Sequence, residues 1–380
     1  MKKAFKLIKK DKQTDARLGV LKTVHGLIKT PTFVPVGSQA TVKGLTSSDL
    51  DEIGIDIFFV NTYLLYLRPG EEIIEKLGGI HRFANWPKPI ISDSGGFQVF
   101  SLAKKENKVK IDYQGVTFTS HLDGSKHYFT PEKSIQIQQK LKTDIMVAFD
   151  QCPDYPSSYH QAWLANQRTH RWAKESLKTA QKNKDQLIFG VIQGSTFKDL
   201  REESAGFIND LPFDGLAIGG VAVGEDKKEM RQVLDWVTPI LKNDKKYNYR
   251  PLHLLGVGEI DDIFAAVEKG IDMMDCVMPT RLGRMGYILT REGKDFKIDI
   301  TKNEFSQDKS ALDSQCHCYV CSNYSKAYLH HLFKAHELLA YRLATYHNLC
   351  FISNLFDKIK EAISKNKFIA LKEEWLKKER

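Results

Sequence analysis

Eight apolar, largely β-branched runs punctuate the chain, at residues 32–36, 56–60, 89–92, 144–149, 187–192, 214–218, 252–257 and 271–275. They are nearly continuous in their apolarity rather than alternating, which is the pattern of parallel strands buried on both faces. Between several of them lie stretches with apolar residues at helical spacing, at 131–141, 158–182, 198–209, 227–241 and 260–269. Eight strands alternating with helices predict an α/β fold closed into a (β/α)8 TIM barrel. An open doubly wound sheet is the structural alternative, but no G-x-G-x-x-G follows the first strand. Phe5, Leu7 and Ile8 in the basic N-terminus read as a strand that precedes the barrel. Residues 109–129 carry YQG and DGS turn signals between β-type residues, and read as hairpins inserted after the third barrel strand. From about 301 to 348 the barrel pattern stops, and that segment reads as a small subdomain inserted near the last helix of a single domain spanning 1–380.

In barrels of this kind chemistry sits at the C-terminal ends of the strands. Those ends carry Asn61, Asp93, Asp150, Gln193, Gly219-Gly220, Gly256-Val257-Gly258 and Asp275. Any one of them alone reads as a turn residue, because Asp, Asn and Gly favour turns. Three carboxylates and an amide converging on one mouth are harder to dismiss.

Composition narrows the class of partner. The chain has 380 residues, 42% of them hydrophobic, enough for one large core. No apolar run approaches the roughly 20 residues needed to span a bilayer, and the N-terminus lacks the apolar segment of a signal peptide, so a cytoplasmic protein is expected. The formal net charge of +9 suits a polyanionic partner such as nucleic acid, although the lysines are scattered as they would be on an ordinary solvated surface.

Of six cysteines, three fall within the six residues CHCYVC: Cys316, Cys318 and Cys321. In a reducing compartment that spacing points to a metal rather than to disulfides. Three thiolates and one further ligand make a tetrahedral structural zinc site with no open position for chemistry. The fourth ligand is one of His330, His331, His336, His347 or Cys350.

The motifs ISDSGGFQVFSL, MVAFDQCPDYP, VIQGS, LAIGGVAVGE, LLGVGE, DMMDCVMPTR and CHCYVC, in this order, closely resemble the bacterial tRNA-guanine transglycosylases of the queuine tRNA-ribosyltransferase family. The resemblance extends from about Gly19 to the C-terminal region. It implies a (β/α)8 barrel, one structural Zn2+ per subunit held by Cys316, Cys318, Cys321 and His347, and a homodimer. It also implies a reaction in which guanine at the anticodon wobble position of tRNAs with GUN anticodons (the Asp, Asn, His and Tyr isoacceptors) is exchanged for a 7-deazaguanine base. Exchange with retained stereochemistry requires two displacements, as in retaining glycosidases. By position in the motifs, Asp275 matches the nucleophile and Asp93 the residue that handles protons. Asp150 suits the imide and amine edge of a guanine-like base, while Gln193 and the backbone N–H of Gly220 suit its carbonyl. Ser94 and Gly219 assist, and Phe97 and Leu255 match the apolar walls that sandwich the base. Arg281 and Arg284, just after the proposed nucleophile, are placed for phosphates flanking a base extruded from the anticodon stack.

The chain departs from the usual pattern of that family at Gln151, Leu282, Val221 and Leu64. Gln151 and Val221 are expected to border the base pocket, so they bear on which base enters. Glu225 in VAVGE is retained as in enzymes that use the 7-aminomethyl-7-deazaguanine precursor, which favours that base over the bulkier queuine. Two other readings compete. A non-catalytic tRNA-binding subunit would be expected to lose Asp275 or Asp93, and both are present. A barrel hydrolase acting on free nucleosides would leave the basic surface and the cysteine-rich subdomain without a role. The alternative for Asp275 is a barrel-end cap contacting Arg281 or Arg284.

Overall fold

The computed structural model describes residues 4–99, 109–181 and 185–377. Lys182, the predicted end of one helix, and Phe100 to Leu102 of the SGGFQVFSL motif lie outside them. Three antiparallel strands open the chain, β1 (Phe5–Lys10), β2 (Arg17–Thr23) and β3 (Gly26–Thr30), in that order across a small sheet. Ile8 lies on the outer face of β1, 55% exposed, while Phe5 points inward. The barrel begins with β4 (Thr32–Pro35), β5 (Phe58–Val60) and β6 (Ile90–Ser92). The predicted hairpins follow as β7 (Lys110–Ile111), β8 (Val116–Thr119) and β9 (Lys126–Phe129), a separate antiparallel sheet. The barrel resumes with β10 (Ile145–Val147), β11 (Leu187–Ile192), β12 (Gly215–Ile218), β13 (Leu252–Leu254) and β14 (Met273–Cys276). All eight apolar runs are therefore strands, parallel and in the order β4-β14-β13-β12-β11-β10-β6-β5. A parallel bridge from Val36 to Phe59, with the Gly37 N–H donating to the Phe59 carbonyl at 2.7 Å, closes the ring.

Helices cover the outside, started by the caps their sequences carry. Ser158 and Gln161 form a capping box for the helix Tyr159–Ala180, as Asp226 and Glu229 do for Lys227–Lys242. Strand residues divide by parity. Outward ones such as Phe33, Ile188, Ile218, Leu254 and Met274 join the large cluster beneath the helices. Inward ones form a second cluster of Val34, Ile57, Phe59, Ile91, Ile145, Val147, Leu187, Phe189, Val191, Ala217 and Met273. Phe5, Leu21 and Ile28 of the N-terminal sheet belong to this inner cluster, so that sheet plugs the N-terminal mouth of the barrel. After β14 come a short helix, Met278–Arg284, the ribbon β15 (Tyr287–Leu289) and β16 (Lys297–Asp299), and the long helix Leu338–Ser364. Among the described residues no helix is long and apolar enough to cross a membrane.

Two carboxylates at the N-terminal ends of barrel strands fasten the plug. Asp272 takes the guanidinium of Arg17, with Nε donating to Oδ1 at 3.0 Å and Nη2 to Oδ2, and both side chains are fully buried. Arg17 also donates to the carbonyls of Tyr247 at 2.8 Å and Arg250 at 3.0 Å, and lies 3.8 Å over the Tyr247 ring. Asp144 binds His25 Nδ1 at 3.0 Å from the β2–β3 turn and His81 Nε2 at 2.9 Å, with the two imidazoles stacked 3.6 Å apart. Burial works against the Asp144 charge, but hydrogen bonds from His81 and the Ile90 N–H, with the nearby imidazoles, hold its carboxyl below the usual range. Removing one member of a buried, hydrogen-bonded ion pair leaves the other uncompensated. Arg17→Met is therefore expected to lower folding stability by about 3–5 kcal/mol, measured by urea denaturation. A loss below about 1 kcal/mol would show that the plug is held by apolar contact alone.

Candidate active site

Inward positions below the C-terminal mouth are apolar; the next inward positions are not. Phe59 is followed two residues later by Asn61, Ile91 by Asp93, Val191 by Gln193, Ala217 by Gly219, and Met273 by Asp275. With Ser94, Phe97, Asp150, Gly220 and Leu255 they line one cavity of about 430 Å³, to which Val36, Cys152, Val221 and Arg281 also contribute. Every predicted catalytic and base-binding residue is thus in one place. Asp150 reaches it by an irregular step. Strict alternation from Val147 would turn residue 149 inward, but Phe149 packs outward against Phe129 and Trp172, and its N–H donates to the Ser176 hydroxyl at 3.1 Å. The strand leaves its register there, and Asp150 faces the cavity instead.

The three carboxylates are held differently. Asp93 accepts from the Thr62 N–H at 2.7 Å, the Gly95 N–H at 3.1 Å and Asn61 Nδ2 at 2.5 Å. Asp150 accepts from the Ser94 hydroxyl at 2.9 Å on one oxygen and from Gln193 Nε2 at 2.7 Å on the other. Asp275 Oδ1 accepts from His253 Nε2 at 2.9 Å, with the Gly256 N–H at 3.4 Å. Neither Arg281 nor Arg284 donates to it among the described residues: Arg281 projects at the cavity wall, and Arg284 Nη1 donates to the Thr280 carbonyl at 2.7 Å. Burial raises the Asp93 carboxyl to about 7 against its backbone donors, with the Asp275 and Asp150 charges adding to the rise. Burial likewise raises Asp150, opposed by Gln193 and Ser94. A carboxyl near neutrality between two others is suited to giving and retaking a proton.

One wall of the cavity is backbone. Gly220 has φ +62°, and a Cβ there would lie 2.3 Å from Gln193 Oε1, so any side chain would be strained and would displace the Gln193 amide. The turn is held from behind by Arg201, a fully buried guanidinium that donates to the carbonyls of Ser195 (2.6 Å), Ile192 (3.2 Å), Gly219 (2.7 Å) and Gly220 (2.7 Å). Burial brings this cation down to about 10. Glu225 closes the next turn, its carboxylate accepting from the Ala222 and Val223 N–H groups. Phe97 is 49% exposed at the rim, and Leu255 packs against the inner cluster. Of the departures, Val221 lines the cavity as expected. Gln151 does not: it faces an adjoining cavity of about 460 Å³, where its amide oxygen accepts from Arg168 at 3.0 Å. Leu64 and Leu282 pack against the outer core. Sequence reasoning passed over His253 and Arg201. The first was detectable as a polar residue inside an apolar strand run; nothing in the helical segment KDLREES marks the second.

The cysteine cluster can hold a metal ion. One ligand atom from each of Cys316, Cys318, Cys321 and His347 lies within 4.8 Å of every other. His347 Nδ1 stands 3.2 Å from Cys321 Sγ and 3.6 Å from Cys318 Sγ, while its Nε2 donates to the Leu289 carbonyl at 2.8 Å. That outer bond fixes the tautomer and leaves the Nδ1 lone pair facing the sulfurs. The spacing is close to the edges of about 3.5–3.8 Å that a tetrahedron of zinc–sulfur and zinc–nitrogen bonds would have. Of the other candidate ligands, His330 binds the Ile300 carbonyl through Nδ1 at 2.8 Å.

The sequence model of a family described as queuine tRNA-ribosyltransferase matches residues 11–380. A queuine tRNA-ribosyltransferase of Caldanaerobacter subterraneus subsp. tengcongensis is 51% identical over 375 residues, 98% of this chain and 97% of its own length. Relatives of the same name from Halothermothrix orenii and Streptococcus mutans are 47% and 44% identical, over 99% and 98% of this chain and 97% and 96% of their own lengths.

The raised Asp93 carboxyl makes a statement about stability. Its folded value near 7 lies above the ordinary 3.8, so the folded protein binds the proton more tightly. Whatever stability that proton carries is complete below about pH 4 and is lost as pH rises through 7. Asp93→Asn removes the ionisation and should raise the denaturation midpoint relative to the native protein above pH 7, the gain fading toward pH 4. A midpoint difference that is flat across this window would mean that Asp93 ionises without penalty.

Proposed function

The chain belongs to the queuine tRNA-ribosyltransferase family, the tRNA-guanine transglycosylases, and from that premise we propose that it replaces guanine at the wobble position of GUN-anticodon tRNAs with a 7-deazaguanine base. The observation that carries the reading is the convergence of three buried carboxylates on one cavity, with Asp93 poised near neutrality between Asp150 and Asp275. In the proposed reaction Asp275 attacks C1′ of the ribose as the bond to guanine breaks, and Asp93 gives a proton to the departing base. Asp93 then takes the proton of the incoming base, whose nitrogen displaces Asp275. Two inversions retain the stereochemistry.

The remaining assignments follow from the same cavity. Asp150, oriented by Ser94 and Gln193, accepts from the imide and amine edge of the base. Gln193 still has an amide hydrogen to offer the carbonyl edge, and its Oε1 is buried without a partner among the described residues. The Gly219–Gly220 turn brings backbone to the base, between walls formed by Phe97 and Leu255. Arg281 and Arg284 take flanking phosphates. The resemblance, through the retained Glu225 of VAVGE, supports 7-aminomethyl-7-deazaguanine as the incoming base, with queuine as the competing one. The metal cluster would hold Zn2+ through Cys316, Cys318, Cys321 and His347; such an ion fastens the fold and has no open position for catalysis. A homodimer acting on tRNA in the cytoplasm completes the reading.

Labelled guanine should enter an unmodified GUN-anticodon tRNA with the native protein and not with Asp275→Ala, which should still bind the tRNA. Turnover by that variant would remove Asp275 as the nucleophile. If native protein with full metal content binds the tRNA tightly yet incorporates nothing, the chain is a non-catalytic tRNA-binding subunit. Separately, Cys318→Ala should lose zinc, read by metal analysis of the purified protein, together with thermal stability; unchanged zinc would overturn the ligand set.

A further inference from the structure

His253 stands at the centre of β13, fully buried, in a strand whose neighbours Leu252 and Leu254 point outward into the apolar core. Its inward direction is that of Leu255, and it faces the edge of the adjoining strand that carries Asp275. Its Nε2 is 2.9 Å from Asp275 Oδ1. Its Nδ1 is buried and has no partner among the described residues, and the ring meets Phe59 edge to face at 6.1 Å. The only polar contact of this imidazole within the described protein is therefore the one to Asp275. A carboxylate cannot donate, so the hydrogen lies on Nε2.

The two oxygens of Asp275 differ in consequence. Oδ1 receives the His253 hydrogen and the longer contact from the Gly256 N–H. No donor from the described residues reaches Oδ2. We propose that His253 is a positioning residue that anchors Oδ1 and so presents Oδ2 as the attacking oxygen. The inference rests on the reading of Asp275 as nucleophile. Oδ2 forms the bond to C1′ as the electron pair of the C1′–N bond leaves with guanine, which takes its proton from Asp93. Oδ1 becomes the carbonyl oxygen of the enzyme–ribosyl ester and keeps its hydrogen bond. When the incoming base displaces the ester, the electron pair returns to the carboxylate, and the same Nε2–H stabilises the charge. One donor serves both displacements without moving. The backbone would hold Asp275 near its place without His253, but the carboxylate plane would then be free to turn.

The test compares His253→Leu, which deletes the donor, with His253→Gln, whose amide nitrogen has the reach of Nε2, in the full-length metal-loaded protein. Guanine exchange gives kcat and KM. Single-turnover formation of the covalent protein–tRNA adduct is followed on denaturing gels. Leu is expected to lower kcat and the rate of adduct formation by about 10- to 100-fold, with KM for tRNA and for guanine changed by less than about 3-fold. Gln should recover most of the loss. Should the Leu variant fail to fold, His253→Asn replaces it, since its amide is too short to reach Asp275. The proposal is overturned if the donorless variant keeps kcat, if the loss appears only in KM, or if folded Gln and donorless variants are equally impaired. Asp275→Ala separates the two levels. An adduct that persists in that variant overturns the nucleophile and this inference together. An adduct lost there but formed at native rate without His253 overturns the inference alone.

Discussion

Closure of the barrel is the constraint on which the site depends. Once Val36 pairs with Phe59 the eight strands have no free edge, and each inward side chain is committed to a space bounded on every side by backbone. The N-terminal sheet fills that space from below with Phe5, Leu21 and Ile28. The inward polar residues begin at the other mouth. Three carboxylates in such a place cannot all carry charge cheaply. Burial and mutual repulsion both favour a proton on one of them. Asp93 and Asp150 both bear the effect, Asp93 although three donors bind it. The rise toward neutrality is thus a product of the barrel's geometry, not of any single neighbour.

Carboxylates occupy both mouths of the barrel, and their partners separate structure from chemistry. At the lower end Asp144 and Asp272 accept from backbone N–H groups of neighbouring strands, from Arg17 and His25 of the plug, and from His81. Their bonding capacity is spent on the protein. At the upper end Asp93, Asp150 and Asp275 meet amides, a hydroxyl and an imidazole, with no lysine or arginine bonded to them among the described residues. Arg201, the buried cation behind the Gly219–Gly220 wall of the cavity, is spent on four carbonyls. The upper carboxylates are therefore oriented but not neutralised by ion pairing. That arrangement costs stability, and a ligand with donor groups would relieve it.

Much of this was legible in the chain because parallel barrel strands leave a strong mark. The eight apolar runs all became strands, and reading the residues at or just beyond the end of each run found the carboxylates. What was not legible has physical causes. Strands β2 and β3 alternate in burial, with exposed Val24 and Leu27 near their turn, so they lack the continuous apolarity of the barrel strands. Asp150 enters the cavity only because Phe149 slips outward to Trp172, a tertiary event that no periodicity encodes. Gln151 was expected at the base pocket on sequence adjacency to Asp150, yet the same slip turns it to Arg168. The pairing of His347 with three cysteines 26 to 31 positions earlier depends on how a long helix returns to them. Spacing left five candidates, and the resemblance chose among them.

That helix also explains why a metal cluster so far along the chain bears on the mouth of the barrel. His347 lies within Leu338–Ser364, and the same segment packs against Met278–Arg284, the short helix that follows Asp275 directly. The approach is close enough that a Cβ on Gly283 would come within 2.9 Å of the Thr345 backbone nitrogen. Asn348, next to His347, donates to the Pro279 carbonyl at 3.0 Å and accepts from the Leu289 N–H at 2.8 Å. Fixing His347 to the cysteines therefore fixes the register of the long helix, and with it the helix that bears Arg281 and Arg284. A metal here would act on the reaction through position alone. Its contribution would be the rigidity with which the chain beyond Asp275 is held at the rim, where an extruded nucleotide and its phosphates would have to pass.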